Sequence, residues 1–263
     1  MSSPGTPSRC VAILPARIGS TRLPRKALLA ETGTALVVHA ARNVARAGTV
    51  TRVVVATDSE DVARVCRDAS LEVLMTSPEH PSGTDRVAEA AARLGGTGAW
   101  DVVLNVQGDE PDVDPQDLER LVRAFQDPEV EVATLAAEIA DEAELRAPSA
   151  VKVVCDRAGN ALYFSRSAIP SREHARPGGA PVAARRHVGV YAFRPDAILQ
   201  FAALAEGDLE RTESLEQLRW LEAGRRIRVV QARHVPRGID TRQDYDDFVA
   251  RLRRGTFEGS SSR

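Results

Sequence analysis

Four cations crowd one short stretch, Pro15-Ala16-Arg17-Ile18-Gly19-Ser20-Thr21-Arg22-Leu23-Pro24-Arg25-Lys26. Arg17, Arg22, Arg25 and Lys26 around Gly19 and Ser20 can grip a chain of phosphates through several charge-assisted contacts and backbone N–H groups. The stretch is not a Walker loop, because no G-x-x-x-x-G-K-S/T occurs, and no G-x-G-x-x-G dinucleotide fingerprint follows the first apolar run. A second constellation is acidic. Asp109 stands in Asn105-Val106-Gln107-Gly108-Asp109-Glu110-Pro111, directly after an apolar run, where a carboxylate can meet Mg²⁺ carried on substrate phosphates. Gly108 lets the backbone pass close to a ligand. Asp240, in Gly238-Ile239-Asp240-Thr241, supplies the second oxygen ligand that such a metal needs, or else caps the last helix.

These residues need elements to hold them. Val11-Ala12-Ile13-Leu14 reads as a strand buried on both faces, which puts the cationic loop at its carboxyl end, where open parallel sheets bind ligands. Helix over Leu36 to Ala47, strand at Val53 to Ala56, and helix from Glu60 with Ser59 as its N-cap follow. The rhythm continues with strand Val73 to Met75, helix Asp85 to Leu94, strand Val102 to Val106, helix Pro115 to Phe125 and strand Val132 to Leu135. Strands alternating with helices predict a doubly wound α/β sheet. The middle differs: Val151 to Cys155, Ala161 to Tyr163 and Val188 to Ala192 predict an antiparallel excursion, with an irregular segment over Ser171 to Ala184. Helix Ser214 to Glu222, strand Ile227 to Val230 and helix Gln243 to Arg253 close the chain. The division expected is a flexible N-terminus over 1–9, a single domain over 10–254 with its excursion at about 150–192, and a flexible tail over 255–263.

Composition narrows the class. The 263 residues carry 35 basic and 37 acidic side chains, a net charge of −2, which gives no global attraction for a nucleic-acid polymer or an anionic membrane. Lys26 and Lys152 are the only lysines. In so arginine-rich a chain, a retained lysine points to a place that wants a compact charge instead of a planar fork. Cys10, Cys66 and Cys155 show no metal or disulfide spacing and read as small buried apolar residues. The opening MSSPGTPSRC has no apolar core of a signal peptide, and no run of about 18 apolar residues occurs, so a reduced cytoplasmic protein is expected. No Ser-His-Asp or Cys-His arrangement is evident. His39 and the pair Trp100 and Trp220 read as packing residues, and His80 and His234 as surface or hydrogen-bonding ones.

Taken in order, the cationic loop, Ala56-Thr57-Asp58, Ser82-Gly83-Thr84-Asp85-Arg86, Asn105 to Pro111, Tyr163-Phe164-Ser165-Arg166, His187-Val188-Gly189-Val190-Tyr191 and Glu213 to Arg219 resemble the 3-deoxy-manno-octulosonate (KDO) cytidylyltransferases. The resemblance runs over about residues 10 to 250 and is specific as an ordered set, although each motif alone is modest. It implies a nucleotide-diphospho-sugar-transferase-like α/β sandwich with a mainly parallel central sheet, dimeric through the middle region. It implies CMP transfer from CTP to an acidic acceptor with Mg²⁺ and release of pyrophosphate.

Carried over residue by residue, Arg17, Arg22 and Lys26 would hold the triphosphate, with Lys26, Arg17 and Asp109 catalytic. Ala16, Thr84, Arg86 and Gly108 would line the nucleoside, and Asp109 and Asp240 would hold the metal. Gln107, Arg166, His187 and Glu213 would face the acceptor. The chain departs from the family where glycine is usual and Arg25 stands, and where an aromatic usually follows Ile169-Pro170 and Ser171 stands. Those departures bring in a small phosphonate such as phosphonoformate as an alternative acceptor, with Arg25 binding it. An inert nucleotide-binding protein on the same fold is the reading from a different class.

Overall fold

A computed structural model describes residues 9–19, 23–171, 184–233 and 235–255. The expectations for Arg22, for His234, for most of Ser171 to Ala184 and for nearly all of the two chain ends fall outside the described residues. Nine strands form one sheet: β1 (Cys10–Ala16), β2 (Arg52–Thr57), β3 (Glu72–Met75), β4 (Val102–Asn105), β5 (Val132–Glu138), β6 (Lys152–Cys155), β7 (Ala161–Ser165), β8 (Arg185–Phe193) and β9 (Arg228–Gln231). Its main path runs β3-β2-β1-β4-β8-β5-β9. β1 is wholly buried, as an apolar run without alternation requires. It pairs in parallel with β2 on one side and β4 on the other. From β1 the chain winds outward to β3 and then returns to β4, so the loops after β1 and β4 diverge and open a crevice.

The helices are α1 (Leu36–Val44), α2 (Glu60–Asp68), α3 (Gly83–Arg93), α4 (Gly96–Ala99), α5 (Pro115–Arg123), α6 (Glu142–Arg146), α7 (Pro195–Ala203), α8 (Asp208–Glu213), α9 (Leu218–Glu222) and α10 (Arg242–Arg253). Two apolar cores flank the sheet. On one face α1, α2 and α5 contribute Val37, Val38, Ala41, Val62, Cys66, Leu118 and Leu121. On the other, α3, α7 and α9 bring Val87, Ala91, Ile198, Phe201 and Trp220 together. The Trp220 indole stacks on Phe201. A third, smaller cluster of Leu23, Leu36, Ile239, Tyr245, Phe248 and Val249 docks α10 beside the first loop, and so brings the Ile239-Asp240 turn to the crevice.

The antiparallel excursion is present: β8 runs antiparallel to β4, β5 and β6, and β6 to β7. One helix differs from expectation. The segment Ser214 to Glu222 is not continuous, because Ser214 adopts φ +52° and ends α8, and a turn separates it from α9. The Arg166 side chain donates to the carbonyls of Glu213 and Ser214 at 2.8 and 3.3 Å, and these tertiary bonds override the local helical pattern.

Candidate active site

Lys26 begins a single 3₁₀ turn, Lys26–Leu28, reached through Arg25 in the left-handed region at φ +56°. Its ammonium pairs with Asp109, donates to Asp240 Oδ1 at 3.2 Å and to the Ile239 carbonyl at 3.1 Å. The Asp109 carbonyl in turn accepts the Ile239 N–H at 3.2 Å, so the loop after β4 and the turn before α10 are joined through the backbone. Thr241, not Asp240, caps α10, in a capping box with Asp244. Asp240 is thereby left with a side chain 49% exposed and a carboxylate directed to the crevice cation. Burial alone would lower the Lys26 pKa, but Asp109 and Asp240 outweigh it and hold the ammonium charged.

Glu110, which the sequence reading passed over, adds a third carboxyl. Its Oε2 is buried without a hydrogen-bond partner. Burial first, and then the negative charges of Asp109 and Asp240, push its pKa up to about 8. With Glu110 held largely protonated near neutrality, two carboxylates still face one ammonium, an excess that a divalent cation would offset, and the orphaned Glu110 oxygen fits the same need. Among the described residues no three ligating side chains close on one point. Mg²⁺ suits that donor set, because it takes one or two carboxylates and fills its shell from phosphate and water. Asp109 and Asp240 are the residues that would hold it.

The residues expected at the nucleoside sit in a polar relay. Ser82 caps α3, with a capping box to Asp85, and so sets Gly83 and Thr84 at a helix N-terminus facing the crevice. Glu216 accepts from Ser82 Oγ at 2.6 Å and Thr84 Oγ1 at 2.8 Å. Asn105 reaches Thr84 at 3.4 Å, and Gln107 reaches Asn105 at 3.3 Å. Burial raises the Glu216 pKa although both hydroxyls pull it back. Gly108 is needed for close packing: a Cβ there would stand 3.1 Å from the Pro15 carbonyl oxygen, just before Ala16 at the end of β1. Arg17 donates to Pro81 O at 3.2 Å, and burial followed by the Arg86 charge lowers its pKa. Arg86 itself is fully buried, bonded to Asp58 at 2.8 Å, Thr76 at 2.5 Å and Ser77 O at 3.2 Å. Arg86, expected to line the nucleoside, instead ties α3 to the segments after β2 and β3 from inside the fold.

Of the expected acceptor residues, Arg166, His187 and Glu213 lie at the end of β7, on β8 and at the α8 terminus, whereas Gln107 stands apart after β4, bonded to Asn105. Glu213 accepts from Ser165 Oγ at 2.6 Å and the Arg166 N–H at 2.9 Å. The Arg166 guanidinium is spread over the Pro148, Glu213 and Ser214 carbonyls. His187 Nε2 lies 2.9 Å from Thr134 Oγ1, whose proton goes to Val190 O at 2.8 Å; the imidazole therefore donates from Nε2. Burial lowers its pKa to about 3, so the ring is neutral. Phe164 meets it edge-on at 5.0 Å. Arg25 is placed elsewhere: its guanidinium pairs with Asp61 at 2.8 Å on the first turn of α2. The left-handed backbone at Arg25 also supplies the physical reason for a glycine there.

Glu110, Glu216 and Thr134 are the site residues that sequence reasoning left unassigned. Glu110 and Glu216 lay inside quoted motifs, while Thr134 carried no signal of its own. Cys10 and Cys66 are buried as read, and burial pushes them up to about 12 and about 11, whereas Cys155 is only partly buried, at the end of β6 beside the Arg185 guanidinium.

Comparison with known proteins places this geometry. The profile of the cytidylyltransferase family matches residues 11–227. A 3-deoxy-manno-octulosonate cytidylyltransferase from Anaeromyxobacter is 47% identical over 95% of this chain and 99% of its own. That of Porphyromonas gingivalis is 41% identical over 92% and 96%. A solved structure of CMP:2-keto-3-deoxy-manno-octonic acid synthetase complexed with CTP superposes with a TM-score of 0.87 at 37% identity, covering 94% of this chain and all of that one. A 4-diphosphocytidyl-2C-methyl-D-erythritol synthase from Anaerococcus prevotii, 14% identical with a TM-score of 0.62, shares the fold. With crevice, carboxylates and full-length similarity in agreement, the chain belongs to the family of 3-deoxy-manno-octulosonate cytidylyltransferases.

Proposed function

We propose that this chain transfers CMP from CTP to 3-deoxy-manno-octulosonate, with Mg²⁺ and with release of pyrophosphate. The observation that carries the reading is Lys26 held between Asp109 and Asp240 at the mouth of the β1/β4 crevice. An acceptor hydroxyl oxygen attacks the α-phosphorus, a new P–O bond forms, and the bond to the pyrophosphate oxygen breaks with its electron pair leaving on pyrophosphate. The hydroxyl proton passes to solvent. Lys26 and Arg17 would meet charge growing on the departing pyrophosphate, and Arg22 belongs to the same proposed grip. Asp109 and Asp240 would hold Mg²⁺, which would offset the repulsion between an anionic acceptor and an anionic phosphate. Thr84, Ala16 and Gly108 would line the nucleoside, with Arg86 behind them. Gln107, Arg166, His187 and Glu213 would frame the acceptor, and His187 enters as a neutral hydrogen-bonding ring. Rate would come from positioning and charge stabilisation, with no covalent intermediate.

A homodimer paired through residues 150–192 accompanies this reading. Leu162 on β7, 62% exposed, is the most exposed large apolar side chain among the described residues and supports that face. Leu162→Asp should give a monomer by light scattering. The cytoplasm, where CTP is made, is the proposed location. Among the described residues no helix is long and apolar enough to cross a membrane.

The test is pyrophosphate release from CTP and Mg²⁺ with KDO, phosphonoformate and other small phosphonates as acceptors. Turnover with KDO is expected. Turnover with phosphonoformate alone would overturn the acceptor, and none with any acceptor would return the chain to an inert nucleotide binder.

A further inference from the structure

The second of the two lysines, Lys152, is 0% exposed and sits on β6, off the main strand path of the sheet. Its ammonium donates to three backbone carbonyls, Ala147 at 2.9 Å, Ala150 at 2.6 Å and Arg166 at 2.5 Å. Three N–H groups meet three acceptors, so the buried charge is fully satisfied. A guanidinium is a planar fork and does not converge on three carbonyls around one nitrogen. Burial lowers the pKa, and the nearby Glu213 carboxylate pulls it back up.

The position of Lys152 ties it to each wall of the acceptor pocket. It opens β6, in register with Ser165 of β7 and with Arg186 of β8. On the β7 side it holds the Arg166 carbonyl, while the Arg166 N–H and Nε hold Glu213. On the β8 side, the carbonyl of Val151 next to it accepts the His187 N–H at 2.8 Å. From Glu213 the chain turns at Ser214 and reaches Glu216, which grips Ser82 and Thr84. We infer that Lys152 is a positioning residue for the acceptor, a tripod whose three bonds lock Arg166 to the Ala147 and Ala150 carbonyls and so, through the Arg166–Glu213 and Val151–His187 bonds beside it, fix those acceptor residues relative to one another. This rests on the proposed reading of those three residues as the acceptor frame.

Steady-state kinetics of Lys152→Met and Lys152→Arg test it, with the unmodified chain assayed alongside. Activity of the unmodified chain with KDO reports on the proposed function alone; the tripod is read from ratios to the unmodified chain, with whichever acceptor it turns over. Both variants should raise the KM for the acceptor at least about tenfold and leave the KM for CTP within about twofold. Parallel changes in both KM values, an unchanged acceptor KM, or rescue by arginine would each overturn the tripod. Should neither variant fold, hydrogen exchange on the unmodified chain decides. Acceptor added at saturating CTP should slow exchange across residues 147–152 and 165–167, and unchanged exchange there would refute the inference.

Discussion

At the ends of β1 and β4, Asp109 and Asp240 share a single ammonium, and beside them Glu110 leaves one carboxyl oxygen without a partner. Across the crevice, Glu213, Arg166 and Lys152 leave little to satisfy: Glu213 collects donors from Ser165 and Arg166, and both cations end on carbonyls. One wall is short of positive charge, and the other is a closed hydrogen-bonded frame. The difference teaches how labour is divided. On the proposed reading, the charge that would meet phosphate and metal sits on loops, whereas the part that would recognise the acceptor is braced by strands and buried bonds.

The comparison breaks most severely at the charged wall. Asp109→Asn and Asp240→Asn should each cut turnover by about 100-fold or more, by analogy with the loss of a single transition-state contact. Circular dichroism should be unchanged, and pyrophosphate release at saturating Mg²⁺ checks the loss. Near-normal turnover would remove the shared metal site. Lys26→Ala comes next. It should weaken CTP and purine triphosphates alike by roughly 10- to 100-fold, because a bond to a charged group is worth about 1.5–3 kcal/mol and reads no base edge. Competition binding with the four triphosphates checks it, and a changed base preference at unchanged affinity would be the contrary result.

The braced wall should respond to acid instead. His187 has its pKa depressed from 6.5 to about 3, so its contribution to stability is complete above pH 6.5 and is lost as pH falls toward 3. Denaturant titrations should show unfolding free energy falling through that window by at most about 1.4 kcal/mol per pH unit from this group. His187→Gln should flatten the slope, and an equally steep slope in the variant would show that the ring is not held neutral by the fold. The smallest effect is expected for Arg25→Gly. That change loses an exposed ion pair, worth about 0–1 kcal/mol, and relieves a left-handed non-glycine backbone, worth about 1–2 kcal/mol. Acceptor kcat/KM should stay within about twofold and the melting temperature should hold or rise slightly. A tenfold fall in kcat/KM would put Arg25 back among the acceptor contacts.

The strands were legible because both faces of β1 and β4 are buried, which turns Val11 to Leu14 and Val102 to Leu104 into uninterrupted apolar runs. The Ser59 cap was legible for a local reason, since its side chain accepts from Val62 N three residues on. Local reasoning left two roles open to Asp240, and only the bond from Thr241 to Asp244 shows which residue caps α10. The break at Ser214 was illegible because its cause, Arg166, lies 48 residues away. Glu110 and Glu216 were passed over for the same reason. Burial by remote loops, not residue type, makes each of them unusual. Arg25 was visible as a departure from glycine, but its direction toward Asp61 was not.

The N–H of Ile239 bonded to the carbonyl of Asp109 has a consequence for divergence. The spacing between the two loops bearing Asp109 and Asp240 is pinned by main-chain atoms, which every non-proline side chain leaves intact. Mutations can accumulate around those loops without altering the bite offered to a cation. The proposed acceptor frame has no such protection, because Glu213, Arg166 and Lys152 are joined through their side chains. A lineage on this scaffold could therefore exchange one acceptor for another by replacing side chains on β6, β7 and α8, while inheriting its phosphoryl-transfer chemistry unchanged.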